Sequence, residues 1–194
     1  MISIIYITCR WDCKFDYFIN SLYSQIKADT PPIQLVIVDS ILTESDNEGR
    51  REYIHCLIQN RFEYIHIPPK PTPWQGPYRI TQKDYFCAAN PRNTGVCYAK
   101  YDYIAFVDDL GVLSPSWLNQ VLHGQSTGRI YCGAYTKMSN MDVSNGILLK
   151  GTAESGDIDN RLSYYKTDIT VCHDSHMYGS SFCMPLSIFL DVNG

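Results

Sequence analysis

The sequence predicts an α/β domain built on a mainly parallel central sheet flanked by helices, with a small irregular C-terminal part. Three observations predict it. Continuous apolar, β-branched runs recur at "ISIIYI" (2–7), "IQLVIVD" (33–39) and "YDYIAFVDD" (101–109), the pattern of strands buried on both faces. Segments of helical spacing separate them. The 194 residues with 45% hydrophobic content suit one globular domain with a sizeable core.

The elements follow in order. The first strand (2–7) runs into "TCRWDCK". Asp12 is placed to cap a helix carrying Phe15, Phe18, Ile19, Leu22 and Ile26. "TPP" at 30–32 breaks that helix, and the second strand (33–39) ends in Asp39-Ser40. "ESDNEGRRE" (44–52) leads polar-first into a helix with Ile54, Leu57 and Ile58, its charges expected on a solvated face. "FEYIHI" (62–67) is a third strand. "PPKPTPWQGPYRIT" (68–81), with five prolines, is a stiff extended loop. "TQKD" opens a helical stretch like a capping segment. Asn90-Pro91 places a cap and a first-turn proline before a helix to about Ala99. A strand at 102–107 follows. Ser114-Pro115 repeats the device before Trp117, Leu118, Val121 and Leu122. "RIYCGAYT" (129–136) reads as a strand, 137–178 as polar and irregular with "SNG" and "SGD" turns, and 182–194 as a strand and a short helix.

Bulk properties exclude several classes. A net charge of −4 gives no reason to expect nucleic acid or an anionic membrane as partner. "MISIIYI" is too short for a signal segment or a membrane span, so a cytoplasmic setting with no transmembrane segment is expected. The 8 cysteines form no C-x-x-C. Cys56, Cys97 and Cys132 fall in apolar periodic segments and read as buried free thiols of a reducing compartment. Neither a glycine-rich phosphate loop nor a G-x-S-x-G elbow is present, which argues against dinucleotide, P-loop and serine-hydrolase chemistry.

In open α/β sheets ligands bind beyond the carboxyl ends of the strands. Three strands here end in polar groups: Thr8-Cys9-Arg10, Asp39-Ser40 and Asp108-Asp109. Parallel strands would align all three along one rim. The adjacent carboxylates at 108 and 109 repel and need a cation or strong donors. Hard oxygen ligands of this kind suit Mg2+ or Mn2+ shared with a diphosphate.

These pieces resemble the GT-A glycosyltransferases, of the large family-2 type. "ISIIYITCR" is similar to the family's opening strand and turn, "QLVIVDS" to its second strand, "PRNTGVCYAKYDYIAFVDD" to its Arg-Asn-x-Gly helix and Asp-x-Asp strand, "LSPSWL" to the Pro-x-x-Leu beyond, and "YGSSFCMPLSIFLDVNG" to a later strand and helix. The chain also resembles the amino-terminal domain of multidomain glycosyltransferases carried by large algal viruses, which would place it in a host cytoplasm. The resemblance implies a single GT-A domain. Residues 1–110 would be its nucleotide-sugar half, and 111–194 its acceptor-side half, cut from a longer chain.

It also implies a nucleotide-sugar donor, a UDP-sugar foremost, a carbohydrate or other hydroxyl acceptor, an inverting reaction and Mn2+ or Mg2+. Thr8, Cys9 and Arg10 would line base and ribose. Asp39 would accept from uracil N3–H beside Ser40, and Arg92 would meet base or phosphates. Asp108 and Asp109 would hold ribose and metal–diphosphate. Leu110 stands where the family usually has its last Asp. His173 and His176 are candidate supplementary contacts to metal or phosphate. Trp74 and Tyr78 are candidates to stack on a sugar, with Lys70 or Arg79 near phosphate. The general base is either Asp191 or a residue past Gly194. Two other readings remain: a sugar-nucleotide pyrophosphorylase, disfavoured by "TCRWDC", and a degenerate GT-A domain that binds nucleotide or a protein partner without transfer.

Overall fold

The computed structural model of the chain describes residues 1–43, 47–71, 87–153, 156, 158–162, 173–177 and 179–192. Strands β1 (Ile2–Thr8), β2 (Ile33–Asp39), β3 (Glu63–Ile67) and β4 (Tyr103–Asp108) are parallel neighbours. Two further strands, β5 (Tyr131–Cys132) and β8 (Ser181–Pro185), extend this to a sheet that among the described residues has six strands in the order β3-β2-β1-β4-β8-β5, with β8 antiparallel to both β4 and β5. A separate hairpin pairs β6 (Ser139–Ser144) with β7 (Ile147–Thr152).

Alternation along the strands sorts their side chains to two faces. Ile4, Tyr6, Leu35, Ile37, Ala105 and Val107 face α1 (Phe15–Tyr23), α2 (Glu48–Ile58) and α4 (Trp117–Thr127). Ile5, Ile7, Val36, Val38, Ile104 and Phe106 face α3 (Ala89–Cys97) and α5 (Leu186–Asp191). The chain steps outward from β1 to β3, then crosses the sheet through α3 and returns at β4. That return makes the β1–β4 boundary a topological switch point, the place beyond whose carboxyl ends open α/β sheets bind their ligands.

Several sequence expectations need correction. Asp12 does not cap α1; it pairs with Lys14 at 2.8 Å, and Lys14 occupies the cap position in a left-handed conformation. Helix α1 ends at Tyr23, leaving Ile26 outside it. Helix α4 starts at Trp117 after Ser116, and the Ser114 carbonyl accepts from the Trp117 amide. The strand expected over 129–136 shrinks to Tyr131–Cys132. The stretch expected to be irregular contains the β6–β7 hairpin, closed by Asn145 and Gly146, both at positive φ, as a two-residue primed turn requires. Cys56 and Cys97 are exposed and Cys132 is half-buried, because they sit at the outer edges of their elements. The "TQKD" helix start, Trp74, Tyr78 and Arg79 lie outside the described residues. Among those described, no helix is long and apolar enough to cross a membrane.

Helix α3 lies so close to the sheet that Gly95 is fixed by space. A Cβ there would stand 2.3 Å from Ile5 Cγ2 and 3.3 Å from Val38 Cγ2. Both neighbours are buried β-branched side chains with little freedom to move. Gly95→Ala is expected to cost about 1–3 kcal/mol of stability by overpacking, read as a lowered urea midpoint. A midpoint equal to wild type would show that α3 can shift freely.

Candidate functional site

The three polar strand ends meet on one rim. Thr8 pairs in register with Asp39 across β1–β2, and Ile7 with Asp108 across β1–β4. At the switch point the Thr8 hydroxyl donates to Asp109 Oδ2 at 2.7 Å, and Arg10 Nε donates to Oδ1 at 3.3 Å. Arg92, brought over the rim by α3, donates Nη2 to Asp108 Oδ1 at 2.7 Å. Its guanidinium also lies 5.3 Å from the Phe182 ring, a cation–π contact. Each carboxylate of the pair therefore has its own arginine.

The backbone of this turn is anchored from both sides. The Asp108 amide donates to the Ser180 carbonyl, and the Leu110 amide to the Cys13 carbonyl. Leu110 itself is left-handed, at φ 63°, a costly conformation for a non-glycine residue that recurs at functional turns. Burial pushes the Asp108 carboxyl above the ordinary range; Arg92 pulls against this, and the neighbouring Asp109 charge adds to the rise. Cys9, half-buried just past β1, has its thiol raised by the same two causes, burial first and then Asp109.

Asp39 is placed differently from the sequence expectation. Its side chain is fully buried, and its oxygens are taken by the protein. Oδ1 accepts from the Ile41 amide at 3.1 Å. Oδ2 accepts from Arg50 Nε at 2.7 Å and lies 3.1 Å from His66 Nε2. Burial alone would raise this carboxyl; donation from His66 and Arg50 outweighs it and holds it below the usual range. In this arrangement three protein groups already face the Asp39 carboxylate. It braces the rim, because Arg50 also donates to the carbonyls of Arg10 and Trp11. Ser40 begins the 3-10 turn after β2.

Arg50 is the residue that sequence reasoning assigned to a solvated face. The signal was present: Arg50, Ile54 and Ile58 recur at a spacing of four, and all three are buried. Beside this network a cleft of about 260 Å³ is lined by Trp11, Asp12, Cys13, Arg50 and Tyr53. Trp11 is 62% exposed and Tyr53 40%, so two aromatic side chains border it. No periodicity marks Trp11; only its place directly after β1 could have drawn attention.

His173 precedes a short 3-10 turn that His176 ends, and His173 Nδ1 is engaged by Ser175. Among the described residues no group of three or more His, Cys, Asp or Glu side chains could hold a metal, so the histidines do not join Asp108 and Asp109 in one cluster. The aspartate pair alone fits a divalent cation of the kind that takes one or two carboxylates and completes its shell with phosphate and water oxygens. Asp108 Oδ2 accepts no hydrogen bond among the described residues, while Oδ1 serves Arg92. Asp191 is exposed at the end of α5. That helix begins after Pro185, opposite Tyr103 and thus at the far end of β4 from the carboxylates.

The sheet thus runs β3-β2-β1-β4-β8-β5 with the paired carboxylates at its switch point. The fold is similar to that of S. aureus TarS. Residues 1–349 of TarS, a glycosyltransferase, superpose with a TM-score of 0.51 at 15% identity, over 99% of this chain and 49% of that one. The likeness to TarS is one of fold, GT-A-like with a mostly parallel central sheet, and this chain spans about half of the TarS chain. No protein-family model and no curated protein matches the sequence.

Proposed function

We propose that the chain transfers a sugar from a nucleotide-sugar donor, a UDP-sugar, to a hydroxyl of a carbohydrate acceptor. The observation that carries this reading is the meeting of Asp108, Asp109, Thr8, Arg10 and Arg92 at the β1–β4 switch point of a GT-A-like sheet. Such a rim offers both signs of charge within one crevice, which suits a diphosphate and its counter-cation. A bound Mn2+ or Mg2+ would offset the charge that develops on the departing nucleoside diphosphate.

The chain's own groups have distinct tasks in this reading. Asp108 and Asp109 hold the cation. Arg10 and Arg92 meet the phosphate oxygens, where a planar fork gives bidentate contact. Trp11 and Tyr53 offer aromatic surface to the base. Asp39 and Arg50 keep the 10–11 turn in place beneath it. An inverting transfer also needs a base for the acceptor proton; the exposed Asp191, at the end of α5, is the candidate from sequence.

Calorimetric titration of UDP, with Mn2+ and with EDTA, tests the reading. Wild type is expected to bind UDP with Mn2+ at least about tenfold more tightly than with EDTA, a difference of about 1.4 kcal/mol. Asp109→Ala is expected to remove that difference. Silence toward UDP and other nucleoside diphosphates would overturn the donor site and favour a domain that binds a protein partner without transfer.

A further inference from the structure

The arginines of the rim stand in the places that ligands would need. Arg92 holds Asp108 at 2.7 Å and Arg10 holds Asp109 at 3.3 Å, the second carboxylate steadied by Thr8 at 2.7 Å. Two guanidinium groups and two carboxylates leave the rim neutral. A divalent cation arriving alone would meet carboxylates already paired and two cations beside them. A diphosphate arriving alone would meet arginines already paired and two anions beside them. Like charges at such distances are costly in a partly buried crevice.

The pairs are nevertheless more exposed than the Asp39–Arg50 pair. The Arg10 side chain is 52% exposed and that of Arg92 21%, so neither is locked by burial as Arg50 is. Arg92 Nε is buried with no hydrogen-bond partner, so its fork is incompletely used against Asp108. A diphosphate can engage that fork more fully than one carboxylate oxygen does.

Resting on the donor-site reading above, we propose that the rim works by charge exchange: a diphosphate takes Arg10 and Arg92 from the carboxylates and thereby opens Asp108 and Asp109 to a divalent cation. Anion and cation then bind with a coupling that the protein itself supplies, and the coupling is reciprocal. The arginines act as internal stand-ins for the cation until the substrate arrives. This gives an outcome opposite to that of simple ligand loss. Removing an arginine weakens the anion but strengthens the cation on its own.

The test measures Mn2+ binding, from the electron paramagnetic resonance signal of free Mn2+, with and without inorganic pyrophosphate. Proteins are wild type, Arg10→Gln, Arg92→Gln and Arg92→Lys, each with a circular dichroism melt to verify folding. Mn2+ alone is expected to bind about tenfold more tightly to each Gln variant than to wild type. Arg92→Lys, which keeps the charge, is expected to stay near wild type. The gain in Mn2+ affinity caused by pyrophosphate is expected to shrink in the Gln variants. Equal Mn2+ affinity across folded wild type and both Gln variants would overturn the exchange. The two readings fail separately. Arginine-dependent coupling with pyrophosphate, but no preference for UDP over pyrophosphate, would keep the exchange and remove the nucleotide site. Tight UDP binding with arginine-independent Mn2+ affinity would do the reverse.

Discussion

Asp39→Ala is expected to lower stability by about 3–5 kcal/mol, the usual cost of stripping one partner from a buried ion pair. At a urea slope of about 2 kcal/mol per molar, the midpoint would fall by about 2 M. The size follows from what remains. Arg50 would stay buried with its Nε donor unmatched, and His66 Nε2 and the Ile41 amide would lose their acceptor. The double variant Asp39→Ala/Arg50→Met is expected to recover part of the loss, since no buried charge is then left uncompensated. A single variant within about 1 kcal/mol of wild type would mean that water reaches this site and the pair is not truly buried. The pH dependence has a definite sign. The folded carboxyl sits below its ordinary value, so its contribution is present above the unfolded value of about 3.9. It is lost as pH falls through the folded value.

Arg161→Met is expected to cost a similar amount, about 3–5 kcal/mol. Arg161 Nε lies 3.0 and 2.9 Å from the two Asp159 oxygens, and both side chains are almost wholly buried. The same guanidinium donates to the carbonyls of Gly133 and His176 at 2.8 and 3.2 Å. It thereby ties the strip beside β5 to the one that leads into β8. Burial pushes the Asp159 carboxyl up, and Arg161 more than reverses this, holding it at about 2. The depressed value means stability that is fully present above about pH 4 and drains away as pH falls toward 2, roughly 2–3 kcal/mol in total. Arg161→Met should remove that slope, so wild type and variant should converge between pH 4 and 2 in urea unfolding. Parallel curves over that range would show that Asp159 titrates the same with or without its arginine. The variant also bears on the rim, because Ser180, which accepts the Asp108 amide, follows directly on the strip that Arg161 holds.

The sheet was legible from the sequence because its buried strands are uniformly apolar. Every residue of β1 and β2 is buried, so neither run needed a partner to be recognised. The hairpin was not legible for the opposite reason. "SNMDVS" and "ILLKGT" leave most of their side chains exposed, and burial is what writes a strand pattern into sequence. Its tip is nonetheless specific: Gly146 lies against the α1 backbone, where a Cβ would stand 2.1 Å from the Ser21 nitrogen. The site divides in the same way. Asp108 and Asp109 announced themselves as charges at the end of an apolar strand. Asp39 gave the same signal and yet points inward, since no residue count says whether a helix two turns later returns an arginine to it. Arg50 did have a signature, its four-residue spacing with Ile54 and Ile58, masked by the charges around it. Arg92 was expected to meet base or phosphates, and the structure adds its partner, Asp108.

The hydrogen bond between Thr8 and Asp109 spans 101 positions of chain, and this sets when the rim can exist. During synthesis β1, β2 and β3 emerge first and can pair, but the β4 edge of β1 stays vacant until residue 108 is available. For that interval a fully buried, apolar strand presents an open edge, the kind that recruits other chains. Closing so long a loop is also slow compared with forming α1 or α2. The carboxylate rim is thus completed only once β4 has joined β1, and any probe of it doubles as a report that the four parallel strands have paired.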